Sequence, residues 1–206
     1  TLPLKEAALN YADEISDRAR LASACNVVYA KDKKLFGDNT DGHGLITDLE
    51  NNLKVTLKDK KILILGAGGA ARGIIPSIIE KKPAKLKVAN RTESKVLLLK
   101  KDLEGKVDLK EKNTIFEAGD LSDDFLLDDS YDIVINSTSV STQAGDSIGL
   151  PKALFSGIKL AYDLFYSAEK TAFMQEALAG GAEKVSDGWG MLVEQGAESF
   201  KLWTNL

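Results

Sequence analysis

One cysteine and one histidine are all that 206 residues contain of these two types. Cys25 on its own excludes an intramolecular disulfide, so the fold must rest on its core, and a lone thiol suits a reducing compartment. No apolar run approaches the length needed to cross a bilayer, and no membrane association is expected. An excess of basic charge is also missing. The 27 Lys and Arg face 31 Asp and Glu, for a net charge of −4, and the lysines are scattered among acids, which is no footprint for nucleic acid. Internal repeats and low-complexity stretches are absent, and no metal site is expected. The chain has neither an initiator Met nor a signal peptide, and it begins Thr-Leu-Pro-Leu-Lys as if in the middle of an element. What remains is the expectation of a soluble cytoplasmic protein of one or two domains, long enough to bury a substantial core, whose N-terminal portion is incomplete.

Against these absences one stretch stands out, KILILGAGGAAR at 61–72. Ile62, Leu63, Ile64 and Leu65 form a short continuous apolar run, as a parallel strand covered on both faces requires. Gly66, Gly68 and Ala71 follow in a G-x-G-x-x-A pattern, where small residues permit a tight turn, the approach of a pyrophosphate and close helix–strand packing. Unpaired amides and the positive end of the helix dipole would hold the anion. A second strand, Leu86–Ala89, ends at Asn90-Arg91-Thr92. NAD sites place an Asp or Glu at this strand tip to meet the ribose 2′-hydroxyl; here stand Asn90 and Arg91, with Lys95 four residues beyond Arg91. Cationic donors suit a 2′-phosphate, so NADP is favoured over NAD. The competing reading is that Arg91 and Lys95 form a solvated helix face.

Elsewhere, Thr1–Lys5 reads as an extended piece fixed by Pro3, followed by a helix over Glu6–Ala12 with Lys5 at the junction. Asp17–Ala24 reads as a second short helix, Asn26–Ala30 as a strand and Lys31–Lys34 as a charged turn. The run GDNTDGHG at 37–44, with three glycines among short polar residues, reads as a structured loop rather than a regular element. Helix resumes at Leu45–Leu53 and again at Gly73–Lys82. Further apolar strands at Thr114–Glu117, Tyr131–Asn136 and Leu160–Leu164 alternate with helix or loop and imply a doubly wound parallel sheet. Asn136-Ser137-Thr138-Ser139 follows a strand carboxyl end, where such sheets bind ligands. Met191, Leu192, Ala197, Phe200 and Trp203 recur at near-helical spacing and mark a packing helix.

Several of these segments, in one order and at similar separations, resemble shikimate dehydrogenase: Thr1-Leu2-Pro3-Leu4-Lys5, Asn26, GDNTDGHG at 37–44, GAGGAA at 66–71, NRT at 90–92, YDLFY at 162–166 and GMLVEQGAESF at 190–200. The resemblance spans the chain. It implies an α/β fold in which a Rossmann-type doubly wound parallel sheet, at 45–187, carries NADP. A substrate domain formed by 1–44 and by a C-terminal helix at 188–206 would then be incomplete. It implies reduction of the ketone of 3-dehydroshikimate by NADPH to give shikimate, a step toward aromatic amino acids. Lys5 matches the catalytic lysine and Asp41 its paired aspartate. An ammonium beside the substrate oxygen can donate the proton and stabilise developing charge, a neighbouring carboxylate can orient it, and in reverse the same lysine must act as a base.

By the same resemblance Thr1, Asn26, Asp41 and Gln195 meet the substrate hydroxyls and Tyr166 lines their pocket. Gly66, Ala67, Gly68, Gly69 and Ala70 take the pyrophosphate. Asn90, Arg91, Thr92 and Lys95 take the 2′-phosphate end. Leu164, Gly188 and Met191 lie by the nicotinamide, and Asp17 is a further cofactor candidate. His43 invites a catalytic role as the only histidine, yet its position has no required identity in the family pattern. The partner expected is a small molecule, and the assembly a monomer or homodimer.

The departures count as well. Family members carry a preceding segment whose serine pair binds the substrate carboxylate, and this chain begins after it. That implies a lost carboxylate anchor, uncovered apolar surface and Lys5 on a fraying terminus. Ser137, Val140-Ser141-Thr142 and Ala172 stand where the family tends to have Ala, Gly-Met and Pro. Three readings therefore stay open: an NADP-dependent shikimate dehydrogenase, a chain that holds NADP without turnover, and a quinate-using or NAD-using relative.

Overall fold

The fold is taken from a computed structural model, which describes residues 4–140 and 149–204. Thr1, Ser141 and Thr142 lie outside the described residues. The chain opens with α1 (Lys5–Tyr11), β1 (Glu14–Ile15), α2 (Asp17–Ala22), β2 (Val27–Lys31) and β3 (Lys34–Asp38). Helix α2 starts where the Ser16 hydroxyl accepts the Ala19 N–H at 3.1 Å and stops where Ser23 turns left-handed, two ordinary end signals. The charged turn is a hairpin: Asp32 and Lys33 both have positive φ, the requirement of a two-residue primed turn, and Lys31 pairs with Lys34 across it. The small sheet has order β1-β3-β2, with β1 parallel and β2 antiparallel to the central β3.

The run at 37–44 is not a loop. Gly37 and Asp38 complete β3, and Asp41 begins α3 (Asp41–Thr47), which continues as a π-helical turn at Asp48–Asn52. The glycines that read as breakers serve close packing. A Cβ on Gly44 would meet the Met191 carbonyl and the Gln195 Cβ at 2.7 Å, and one on Gly42 would strike Ser77 and Gly73. Helix α3 thus passes between two other helices at a separation only glycine allows.

The larger sheet contains β4 (Lys61–Leu65), β5 (Lys85–Ala89), β6 (Ile115–Gly119), β7 (Ile133–Asn136), β8 (Leu160–Asp163) and β9 (Val185–Ser186), all parallel, in the order β6-β5-β4-β7-β8-β9. It is the Rossmann order, and its direction of winding reverses beside β4. Helices α4 (Gly69–Glu80), α5 (Glu93–Glu104), α6 (Asp123–Leu127), α7 (Ala172–Gly180) and α8 (Trp189–Thr204) complete the chain. Alternation along β4 explains its unbroken apolar run. Ile62 and Ile64 pack into a core with Leu45, Leu49, Ile74 and Ile78, while Leu63 and Leu65 join Phe155, Phe173 and Val134 on the opposite face. Each such side chain, fully buried, contributes about 1.5–3 kcal/mol. Among the described residues no helix is long and apolar enough to cross a membrane.

Candidate functional site

Two features meet at the carboxyl ends of the central strands. The first is the glycine turn after β4. Gly66 takes φ +106° and donates its N–H to the Ala89 carbonyl at 2.7 Å, a conformation that any side chain would strain. A Cβ there would also sit 2.6 Å from the Ser137 hydroxyl, which donates to the Leu65 carbonyl at 2.7 Å. Around Gly68 and Gly69, by contrast, nothing lies within 4 Å of where a Cβ would be. Open space therefore faces the first turn of the 12-residue α4, whose amides have no intrahelical acceptors. At the tip of β5 the Asn90 amide donates to the Thr92 carbonyl at 2.9 Å, and Arg91, Thr92 and Lys95 are exposed. Of the four arginines, Arg18, Arg20 and Arg72 each pair with a carboxylate, whereas among the described residues Arg91 and Lys95 have no such partner. The open turn and two unpaired cations fit a ligand with two separate anionic groups.

The second feature is a cleft of about 410 Å³ beside that turn, reached by Ala70 from α4 and lined by Leu164 and Tyr166 after β8, by Lys5, Asn26 and Asp41, and along its length by α8. Lys5 is the first residue of α1. Its carbonyl accepts the Cys25 N–H at 2.8 Å and its Nζ donates to Asp41 Oδ2 at 2.5 Å. Lys5 is thus held at both backbone and ammonium. The other oxygen of Asp41 accepts the Asn26 amide at 2.8 Å, and the same amide nitrogen lies 3.1 Å from Gln195 Oε1. Asn26 is oriented by the Thr40 N–H, which donates to its Oδ1 at 2.9 Å. Thr40 in turn contacts the Ser199 hydroxyl at 3.0 Å, and Ser199 donates to the Gln195 carbonyl at 2.7 Å. Gly188 is required by contact: a Cβ on it would overlap the Leu164 carbonyl.

Beneath the catalytic candidates lies Asp38. Burial pushes its carboxyl up, but hydrogen bonds from Arg18 and Ser16 outweigh that and hold it below the ordinary range. Behind the cleft the buried Tyr162 hydroxyl donates to Asp48 at 2.7 Å; burial, followed by that bond, pushes the phenol far above its usual range.

The family described as "Shikimate / quinate 5-dehydrogenase" matches residues 48–144, and "Shikimate 5'-dehydrogenase C-terminal domain" matches 188–206. A protein named shikimate dehydrogenase (NADP(+)) from Janthinobacterium sp. (strain Marseille) is 45% identical over 206 residues, 100% of this chain and 71% of that protein. The chain belongs to the shikimate dehydrogenase family. Among solved structures, an Ael1 enzyme from Pseudomonas putida superposes with a TM-score of 0.89 at 37% identity, covering 100% of this chain and 72% of that one. A shikimate 5-dehydrogenase from Thermus thermophilus, in complex with NADP(H) and shikimate, gives 0.82 at 34%, with 100% and 72% covered.

Of the positions the shikimate dehydrogenase resemblance singles out, Lys5, Asn26, Asp41, Tyr166 and Gln195 line the one cleft, together with Ala70, Leu164, Gly188 and Met191. Gly66, Ala67, Gly68 and Gly69 adjoin it through Ala70, and Asn90 to Lys95 lie at the neighbouring strand tip. Asp17 is not among the lining residues: its side chain is 89% exposed and pairs with Arg20. His43 packs toward Glu198 at 3.7 Å and Thr47 at 3.5 Å, away from the lining. Sequence reasoning missed Leu192, Gly196, Ser199 and Trp203, which line the cleft on α8. From Gly188 through Leu192, Gly196, Ser199 and Trp203 the steps are four, four, three and four, which is the helical signal that could have found them.

Proposed function

We propose that this chain catalyses the reversible, NADPH-dependent reduction of 3-dehydroshikimate to shikimate, with 1–44 and 188–206 as the substrate side and 45–187 as the nucleotide side. The observation that carries this reading is the Lys5–Asp41 pair, 2.5 Å apart, in a cleft that also contains Ala70 of the glycine turn. The turn's open amides would hold the pyrophosphate, and Arg91 with Lys95 the 2′-phosphate. Bound NADPH would supply the hydride; every other role falls to the chain. Lys5 donates a proton to the alkoxide oxygen that reduction creates and is left as an amine hydrogen-bonded to Asp41. Asp41, fixed on one oxygen by Lys5 and on the other by Asn26, keeps Lys5 from swinging away. The amides of Asn26 and Gln195 are suited to substrate hydroxyls, and in the oxidative direction Lys5 takes the proton back.

The test follows NADPH absorbance with shikimate and NADP⁺. Lys5→Ala should lower kcat by roughly 10²- to 10⁴-fold, the usual worth of a positioned acid–base group, and Asp41→Asn should also cause a large loss. Parental rates in both variants would overturn the mechanism. A second reading, NADP held without turnover, has one observation in its favour: Lys5 is the only cation among the lining residues described, and Asp41 already pairs with it. Calorimetry showing NADP⁺ binding with no shikimate-dependent heat would decide for that reading.

A further inference from the structure

Arg18 lines no part of the cleft, yet it connects the two segments that carry the substrate side. Its Nε and Nη2 form a fork on the two oxygens of Asp38 at 3.1 and 2.7 Å, and its Nη1 donates to Glu198 Oε1 at 2.9 Å. Asp38, only 4% exposed, also accepts the Ser16 hydroxyl and, at 2.6 Å, the N–H of Asn39. Asn39 continues the chain of bonds. Its Oδ1 accepts the N–H of Asp41 at 3.0 Å, and its Nδ2 donates to the Ala24 carbonyl, two residues before Asn26. On the other side, Glu198 is one turn after Gln195 on α8. One guanidinium therefore ties the segment ending in Asp41 to the helix turn bearing Gln195, and only a planar fork with a further donor can make all three bonds.

We propose that Arg18 is a positioning residue, which sets the spacing between Asp41 and Gln195 by clamping Asp38 and Glu198 together. Its consequence for shikimate rests on the function proposed above; the clamp itself does not. No hydrogen bond of this network reaches β4 or α4, although α4 packs against α2 and α3, so substrate handling should respond to its loss far more than NADP⁺ handling.

Arg18→Met would strand a buried carboxylate and risks unfolding, so the informative variants are Arg18→Lys, which keeps the charge without the fork, and Glu198→Ala, which leaves Asp38 satisfied. In both, the KM for shikimate should rise roughly tenfold and kcat fall severalfold, as expected of small misplacements around a reacting centre, while the KM for NADP⁺ stays within about twofold. Amide hydrogen exchange should accelerate across 38–44 and 194–199 and remain unchanged across 61–65. Because both substitutions break one shared bond, the double variant should lose less than the product of the two single losses. Unchanged shikimate kcat/KM, or a KM for NADP⁺ that rises in step, overturns the proposal. If the parent itself shows no shikimate-dependent turnover, the functional reading fails separately, and exchange then decides the clamp: unchanged protection across 38–44 and 194–199 refutes it.

Discussion

Lys5 and Asp41 are 36 positions apart in the chain and 2.5 Å apart in the fold. Taken alone, each is an ordinary charged residue; neither composition nor periodicity distinguishes Lys5 from the other lysines. The motif resemblance singled both out, and the fold supplies a physical reason in the chain of bonds through Asn26 and Gln195. Arg91 is the reverse case, singled out by its position alone. It stands at a strand tip where an acidic residue would favour NAD, and it has no carboxylate partner among the described residues although the chain carries 31 acidic residues. Arg91→Ala should therefore weaken NADP⁺ binding about 10-fold, the low end of the 10- to 150-fold range for a charged hydrogen bond because the site is exposed. NAD⁺ binding should be unchanged. Titration calorimetry with both nucleotides checks this, and equal weakening of the two would place Arg91 elsewhere.

At the scale of elements, glycine misled and alternation did not. The strands β4, β5, β7 and β8 were legible within two residues at each end, because a buried parallel strand needs an unbroken apolar run. The stretch at 37–44 was misread because three glycines signal a turn and a close helix crossing equally well, and only the neighbours distinguish them. The two uses predict opposite behaviour. Gly44→Ala should destabilise the fold by about 1–3 kcal/mol, since its new methyl would meet backbone atoms of α8 that cannot yield, even though alanine is the better helix former. Gly69→Ala should leave thermal stability equal or slightly higher, since nothing lies within 4 Å of its new methyl, but weaken NADP⁺ binding, because the proposed function seats the pyrophosphate in that open space. Paired melting curves and NADP⁺ titrations separate the two. Short strands such as β1 were invisible for a different reason: two residues carry no period, and Glu14–Ile15 is a strand only because β3 lies beside it.

Over the whole molecule, the depressed carboxylates determine the response to acid. Burial raises Asp38, Asp102 and Asp132, but hydrogen bonds from Arg18, from Lys106 and from the Lys61 backbone respectively outweigh it; Glu198 is lowered chiefly by its bond from Arg18. These groups bind fewer protons folded than unfolded. Their stabilisation is complete above the unfolded values of 3.8 and 4.5 and is lost as pH falls through the lower folded values. The midpoint of thermal unfolding should therefore drop steeply below about pH 4, and less steeply in Arg18→Lys. At the alkaline end burial raises Tyr131 and Tyr162, so the folded state keeps protons that the unfolded state releases, and stability should decline above about pH 10. A melting series across pH measures both limbs. What the sequence by itself determined was local: the apolar strands, the glycine turn, the cationic strand tip and the helical stripe of α8, because these depend on periodicity and backbone freedom over a few residues. Tertiary structure alone decided that Lys5, Asn26, Asp41 and Gln195 share one bonded network and that Arg18 clamps it, because contacts between residues 15 to 180 positions apart are created by the packing of α3 against α4 and α8 and leave no periodic trace in the chain.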